Sequence, residues 1–125
     1  MFKQLLHRYS IQQVTLLSTK SPLHQRIVRY LTRNRIEFST ITSFNDSADT
    51  ALLILPLSMQ TITPVSDILQ QMLQLDHTPL LVFATDFPVT TRFKKRFSIA
   101  GIIGILELTE HPRFIKVESH SMQSN

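Results

Sequence analysis

The chain has no cysteine. That excludes disulfides, zinc–thiolate sites, iron–sulfur clusters and a cysteine nucleophile, and it suits a reducing, cytoplasmic setting. Glycine is almost as scarce, with two residues in 125, Gly101 and Gly104. Neither a phosphate-cradling P-loop nor a G-x-S-x-G nucleophile elbow can be built from that pair. Tryptophan is absent. No stretch reaches the roughly 18 apolar residues that a membrane span needs. His7, Arg8, Gln12 and Gln13 also interrupt the N-terminal segment where a signal peptide would keep its apolar run, so secretion is not expected. Acids are the minority charge, 9 against 13 Lys and Arg, for a formal net charge of +4. A balance of that size serves solubility, and it also admits an anionic partner.

What is present points to one α/β domain. Hydrophobic residues make up 42% of the chain, enough for a packed core in a length that fits a single domain. Phe2, Leu5, Leu6 and Tyr9 recur at helical spacing, which predicts an amphipathic helix within residues 1–12. A two-turn helix is not stable alone in water, so these four need a surface, either on the chain's own sheet or on another protomer. Apolar runs then predict buried strands at 13–18, 51–57, 80–84 and 102–106, with a weaker strand at 37–42. Between them, Ser21-Pro22 opens a helix carrying the stripe Leu23, Ile27, Tyr30 and Leu31. Thr63-Pro64 opens another, through about Leu75, and residues 88–97 hold a short basic one. Residues 43–50 are too few and too polar for a regular helix, so the second helix is expected to be reduced or absent. Residues 119–125 read as a polar tail. Alternating strands and helices imply right-handed crossovers and a parallel sheet, here five strands in the flavodoxin-like order 2-1-3-4-5.

The run Leu16-Leu17-Ser18-Thr19-Lys20-Ser21-Pro22-Leu23, with Pro79-Leu80-Leu81-Val82-Phe83 and Ala100-Gly101-Ile102-Ile103 later, resembles receiver domains over about residues 13–118. More narrowly it is similar to the degenerate, pseudo-receiver N-terminal domains of LuxR/FixJ-class transcription regulators of the curli and biofilm type. The resemblance implies a cytoplasmic signalling role, and it also shows what is missing. A phosphorylatable receiver needs paired acids after its first strand, where Thr19 and Lys20 stand. It needs an Asp after the third, where Ile54, Leu55, Pro56 and Leu57 offer none. It needs Ser or Thr after the fourth, read here as Ala84, and Lys after the fifth, read here as Ile105. Thr19, Lys20, Leu55, Ala84 and Ile105 are thus expected to form a degenerate pocket that cannot be phosphorylated. The regulators' helix-turn-helix has no counterpart before Asn125, and their Trp-containing cyclic-dinucleotide motif has no Trp to match, so neither DNA binding nor nucleotide sensing carries over.

Other sites are weaker. Asp86 and Glu107 follow strands and read as solvated loop acids, with a small acidic cleft at the carboxyl edge of the sheet as the alternative. His7, His24, His77, His111 and His120 show no metal-ligand spacing. No catalytic residue, metal, cofactor or enzymatic activity is expected. Arg92, Lys94, Lys95 and Arg96, interleaved with Phe93 and Phe97, form the densest basic cluster. By the resemblance this is the receiver's fourth helix, a dimerisation and docking surface; basic residues beside aromatics also suit nucleic acid. Phe93, Lys94, Lys95 and Phe97 are therefore the first interface candidates and Phe2, Leu5, Leu6 and Tyr9 the second, with a homodimer expected and an acid such as Glu107 or Glu110 opposite the cations. Arg26, Arg29, Arg33 and Arg35 make a second basic strip, read as the solvated face of a helix. The expected function is regulation by dimerisation or protein docking. The alternatives are a stand-alone receiver-like adaptor and a basic nucleic-acid-binding module.

Overall fold

Pro22 at the first helical position and Leu23, Ile27 and Leu31 at four-residue spacing make Pro22–Arg33 a helix with one buried face. The computed structural model describes residues 2–18, 21–43, 50–57, 70, 79–96 and 102–117. Within these, the elements are α1 (Phe2–Arg8), β1 (Gln13–Leu17), α2 (Pro22–Arg33), β2 (Glu37–Ile41), β3 (Leu52–Leu57), β4 (Leu80–Thr85), α3 (Thr91–Arg96), β5 (Ile102–Glu107) and β6 (Arg113–Lys116). Gln70 is helical, inside the stretch where a helix is expected. The rest of that helix, Phe97, and residues 44–49 of the segment expected to lack one lie outside the described residues.

The strands form one sheet in the order β2-β1-β3-β4-β5-β6. The first five are parallel, and the order 2-1-3-4-5 is as expected. The count of five is corrected: β6 pairs antiparallel with β5 and makes a sixth strand. Two interactions place it. Glu107 and Arg113 face each other at the mouth of the hairpin and form an ion pair. Further along, the Phe114 ring lies across Gly104, where a Cβ would collide with it. A glycine inside a strand commonly marks such a close approach. Neither contact is visible in the four-residue run Arg-Phe-Ile-Lys alone.

Both faces of the sheet are covered. On one, Phe2, Leu5 and Leu6 of α1 and Leu23, Ile27 and Leu31 of α2 pack on Val14, Leu16, Leu52, Ile54, Val82, Ala84, Leu106 and Phe114. On the other, Leu53, Leu55, Leu57, Leu81, Phe83, Ile102, Ile105 and Val117 pack with Phe87, Val89 and Phe93 from the segment through α3. A register irregularity in β5 beside Leu81 and Val82 lets Ile102 and Ile105, three apart, share this face.

Scarce glycine shows at the helix ends. Both α1 and α2 close in Schellman motifs: Ile11 N–H bonds the Leu6 carbonyl (2.8 Å) and Ile36 N–H the Leu31 carbonyl (2.9 Å). The left-handed position that glycine usually takes is held by Ser10 (φ 57°) and Arg35 (φ 56°). The apolar residues that follow, Ile11 and Ile36, pack against the core and fix the turns from outside. Ser21 has the extended backbone of an N-cap, but its side chain makes no capping bond.

Candidate functional site

In a parallel sheet, neighbouring strands align residue for residue, so rows of side chains can be read across it. One row is Leu55–Phe83–Ile105, on the face toward α3. The next residue along gives Pro56–Ala84–Leu106, with Ala84 and Leu106 in the opposite core. Leu55, Ala84 and Ile105 are each 0% exposed. The three described residues of the five expected to share a pocket, Leu55, Ala84 and Ile105, therefore do not converge. Leu55 and Ile105 flank Phe83 on one face, Ala84 points to the other, and Thr19 and Lys20 lie outside the described residues. Strand side chains alternate faces, so an offset of one residue reverses the side.

The row at the strand ends is Leu57–Thr85–Glu107. All three are buried, and none offers an unengaged carboxylate. Leu57 packs in the apolar core. The Thr85 hydroxyl donates to the Phe87 carbonyl at 3.0 Å. One Glu107 oxygen, Oε1, accepts the Val89 backbone N–H at 2.7 Å, and the other, Oε2, accepts Arg113 Nε. The Arg113 hydrogen bond, the Val89 N–H and the guanidinium charge hold the Glu107 carboxyl below the usual carboxylate range against the opposing effect of burial. Sequence reasoning placed Glu107 at this edge, as a solvated loop acid or as part of a small acidic cleft. The correction is that its carboxylate is turned inward and closes the β5–β6 hairpin against the segment before α3. No signal within the sequence announces the Arg113 partner six residues on, because the hairpin itself was not legible.

That segment leads into α3. The Thr90 hydroxyl accepts the Phe93 N–H at 3.1 Å and caps the helix. Phe93 is half-buried, edge-on to Phe87 with centroids 5.2 Å apart. Lys94 is half-buried, while Arg92 and Lys95 are exposed. Glu107 is not available to face these cations from another copy; Glu110 is exposed. Of the two destinations expected for the N-terminal helix, its own sheet or another protomer, the structure shows the first, which removes three of the second set of interface candidates. Phe2, Leu5 and Leu6 are buried in the chain's own core, with the Phe2 ring stacked on Phe114 at 5.1 Å, and only Tyr9 of that set is exposed, at 47%.

Among the described histidines, His7 and His111 are exposed and His24 is half-buried. Among the described residues no three His, Asp or Glu side chains are grouped to hold a metal ion, and no helix is long and apolar enough to cross a membrane. Compared with known proteins, the chain matches no family model, no curated protein and no solved structure.

Proposed function

We propose that this chain is a receiver-like regulatory domain, in the manner of the LuxR/FixJ-class regulators it resembles, that takes no phosphoryl group and works through protein contact, most simply with a second copy of itself. The observation that carries the reading is the strand-end row. In a phosphorylatable receiver the ends of the third, fourth and fifth strands present Asp, Ser or Thr, and Lys. Here the row reads Leu57, Thr85 and Glu107, within a parallel set ordered 2-1-3-4-5. An apolar side chain replaces the acceptor. The hydroxyl is engaged by Phe87, and the charge at the last position is reversed and already neutralised by Arg113. Magnesium needs several oxygen ligands around it, and this row offers it no unengaged carboxylate. Receiver switching works by adding charge to a pocket that responds to it; a closed row leaves contact as the means of regulation.

The sheet edges favour association through helices over strand addition. One edge, β2, begins at exposed Glu37, and the other, β6, carries exposed Arg113 and Lys116. Charged, short edge strands resist pairing with another chain. The α3 face, with half-buried Phe93 and the cations Lys94 and Lys95 toward its rim, is then the first candidate. Sedimentation equilibrium tests it. The wild-type chain self-associates in the micromolar range, and Lys94→Glu with Lys95→Glu weakens association while the far-ultraviolet circular dichroism stays the same. A wild-type chain that stays monomeric at high micromolar concentration removes the self-contact and leaves docking to a different partner, as in a stand-alone adaptor.

A further inference from the structure

The basic strip of α2 is not simply a solvated helix face, because the fold sets a second wall against it. Arg26, Arg29 and Arg33 run along α2 over about 10 Å. Opposite them stand Arg113 of β6 and the turn from Leu108 through Glu110 to Pro112. The two walls enclose a half-open groove of about 730 Å³, with Phe114 and Tyr30 also in its lining. That volume lies in the range of small-molecule sites, roughly 300–1,000 Å³.

Four arginines and one acidic residue, Glu110, are among the residues that line the groove. Two of the four are tied down and fix the walls. Arg26 Nη1 donates to the Leu108 carbonyl at 3.1 Å, joining α2 to the turn, and Arg113 Nε is held by Glu107. The pairing leaves Arg113 still 61% exposed, with its remaining N–H groups outside that bond. Arg29 and Arg33 are exposed, and neither forms an ion pair among the described residues. Bringing like charges together from α2 and β6 is repulsive, and at Arg29 and Arg33 no ion pair among the described residues offsets it. It becomes favourable when a ligand of opposite charge enters between them.

We propose that this groove binds a small ligand with two or more linked phosphate groups, either free as an inorganic polyphosphate or carried by a nucleotide. Arginine is the residue suited to this chemistry, because its planar fork of donors meets two phosphate oxygens at once and its charge does not depend on pH. Convergence of the cations from two elements favours a compact polyanion over an extended acidic segment, which would need only the linear row on α2. The site uses neither the strand-end row nor the α3 face, so it stands or falls separately from the regulatory reading.

Isothermal titration of the full chain at physiological salt tests this, with inorganic triphosphate, ATP and adenosine as the probes. Triphosphate and ATP bind saturably and adenosine does not. Arg29→Glu with Arg33→Glu weakens binding by at least about tenfold, equivalent to about 1.4 kcal/mol, with the thermal midpoint unchanged. If that variant folds poorly, Arg29→Gln with Arg33→Gln gives the same direction of loss. ATP tighter than triphosphate identifies a nucleotide, and equal binding identifies the phosphate chain alone. Three results overturn the proposal: no saturable binding at millimolar triphosphate, binding undiminished in the variants, or displacement of triphosphate by a lower concentration of a hexaglutamate peptide.

Discussion

At Glu107 a carboxylate is enclosed by the fold, held by one backbone N–H and one guanidinium. Glu107→Ala leaves the Val89 N–H without its acceptor and costs about 1–3 kcal/mol in urea unfolding. The charge has its own signature. The folded-state pKa lies below the ordinary carboxylate value of about 4.3, so ionised Glu107 contributes stability above that value and loses it as pH falls through the folded one. Glu107→Gln keeps an acceptor for Val89 but has no charge to lose. Between about pH 6 and about pH 3 the wild type therefore loses stability more steeply than this variant. Equal slopes would show that the Arg113 pair does not act on the carboxyl.

The elements divide by how locally their causes lie. The α2 helix was legible because Pro22 and the Leu23–Ile27–Leu31 stripe lie within its own twelve residues. The parallel strands were legible because double burial makes them continuous apolar runs, Leu52–Leu57 most clearly. The order of five strands followed from the alternation. The β6 strand was not legible, because it depends on Gly104 and Glu107 in a neighbouring strand. For α1 the sequence showed an apolar face but not its destination. The stacked pair Phe2–Phe114 supplies that, and the same β6 that went unread is what α1 packs on. Phe2→Ala is expected to cost about 3–5 kcal/mol in denaturant unfolding. It should leave self-association unchanged once the folded fraction is matched. A loss of association at full stability would instead return α1 to an interface role. The site was half legible. The absence of an acid after β3 was readable directly, whereas the offset between Ala84 and Thr85 needed the register, since one residue changes the face.

Across the whole molecule, a doubly covered sheet keeps an apolar or internally paired row where an open α/β fold would place its ligand. Among the described residues, cations cluster elsewhere, on α3 and around the groove between α2 and β6. The regulatory role proposed above accordingly works by contact, without phosphoryl chemistry. The measurement that reaches it most directly is intact mass after incubation with acetyl phosphate and Mg2+. The account predicts an unchanged mass at every incubation time. A stoichiometric, acid-labile gain of one phosphoryl group would contradict it, because it would require a free acceptor carboxylate, and the one carboxylate of the Leu57–Thr85–Glu107 row is held by Val89 and Arg113.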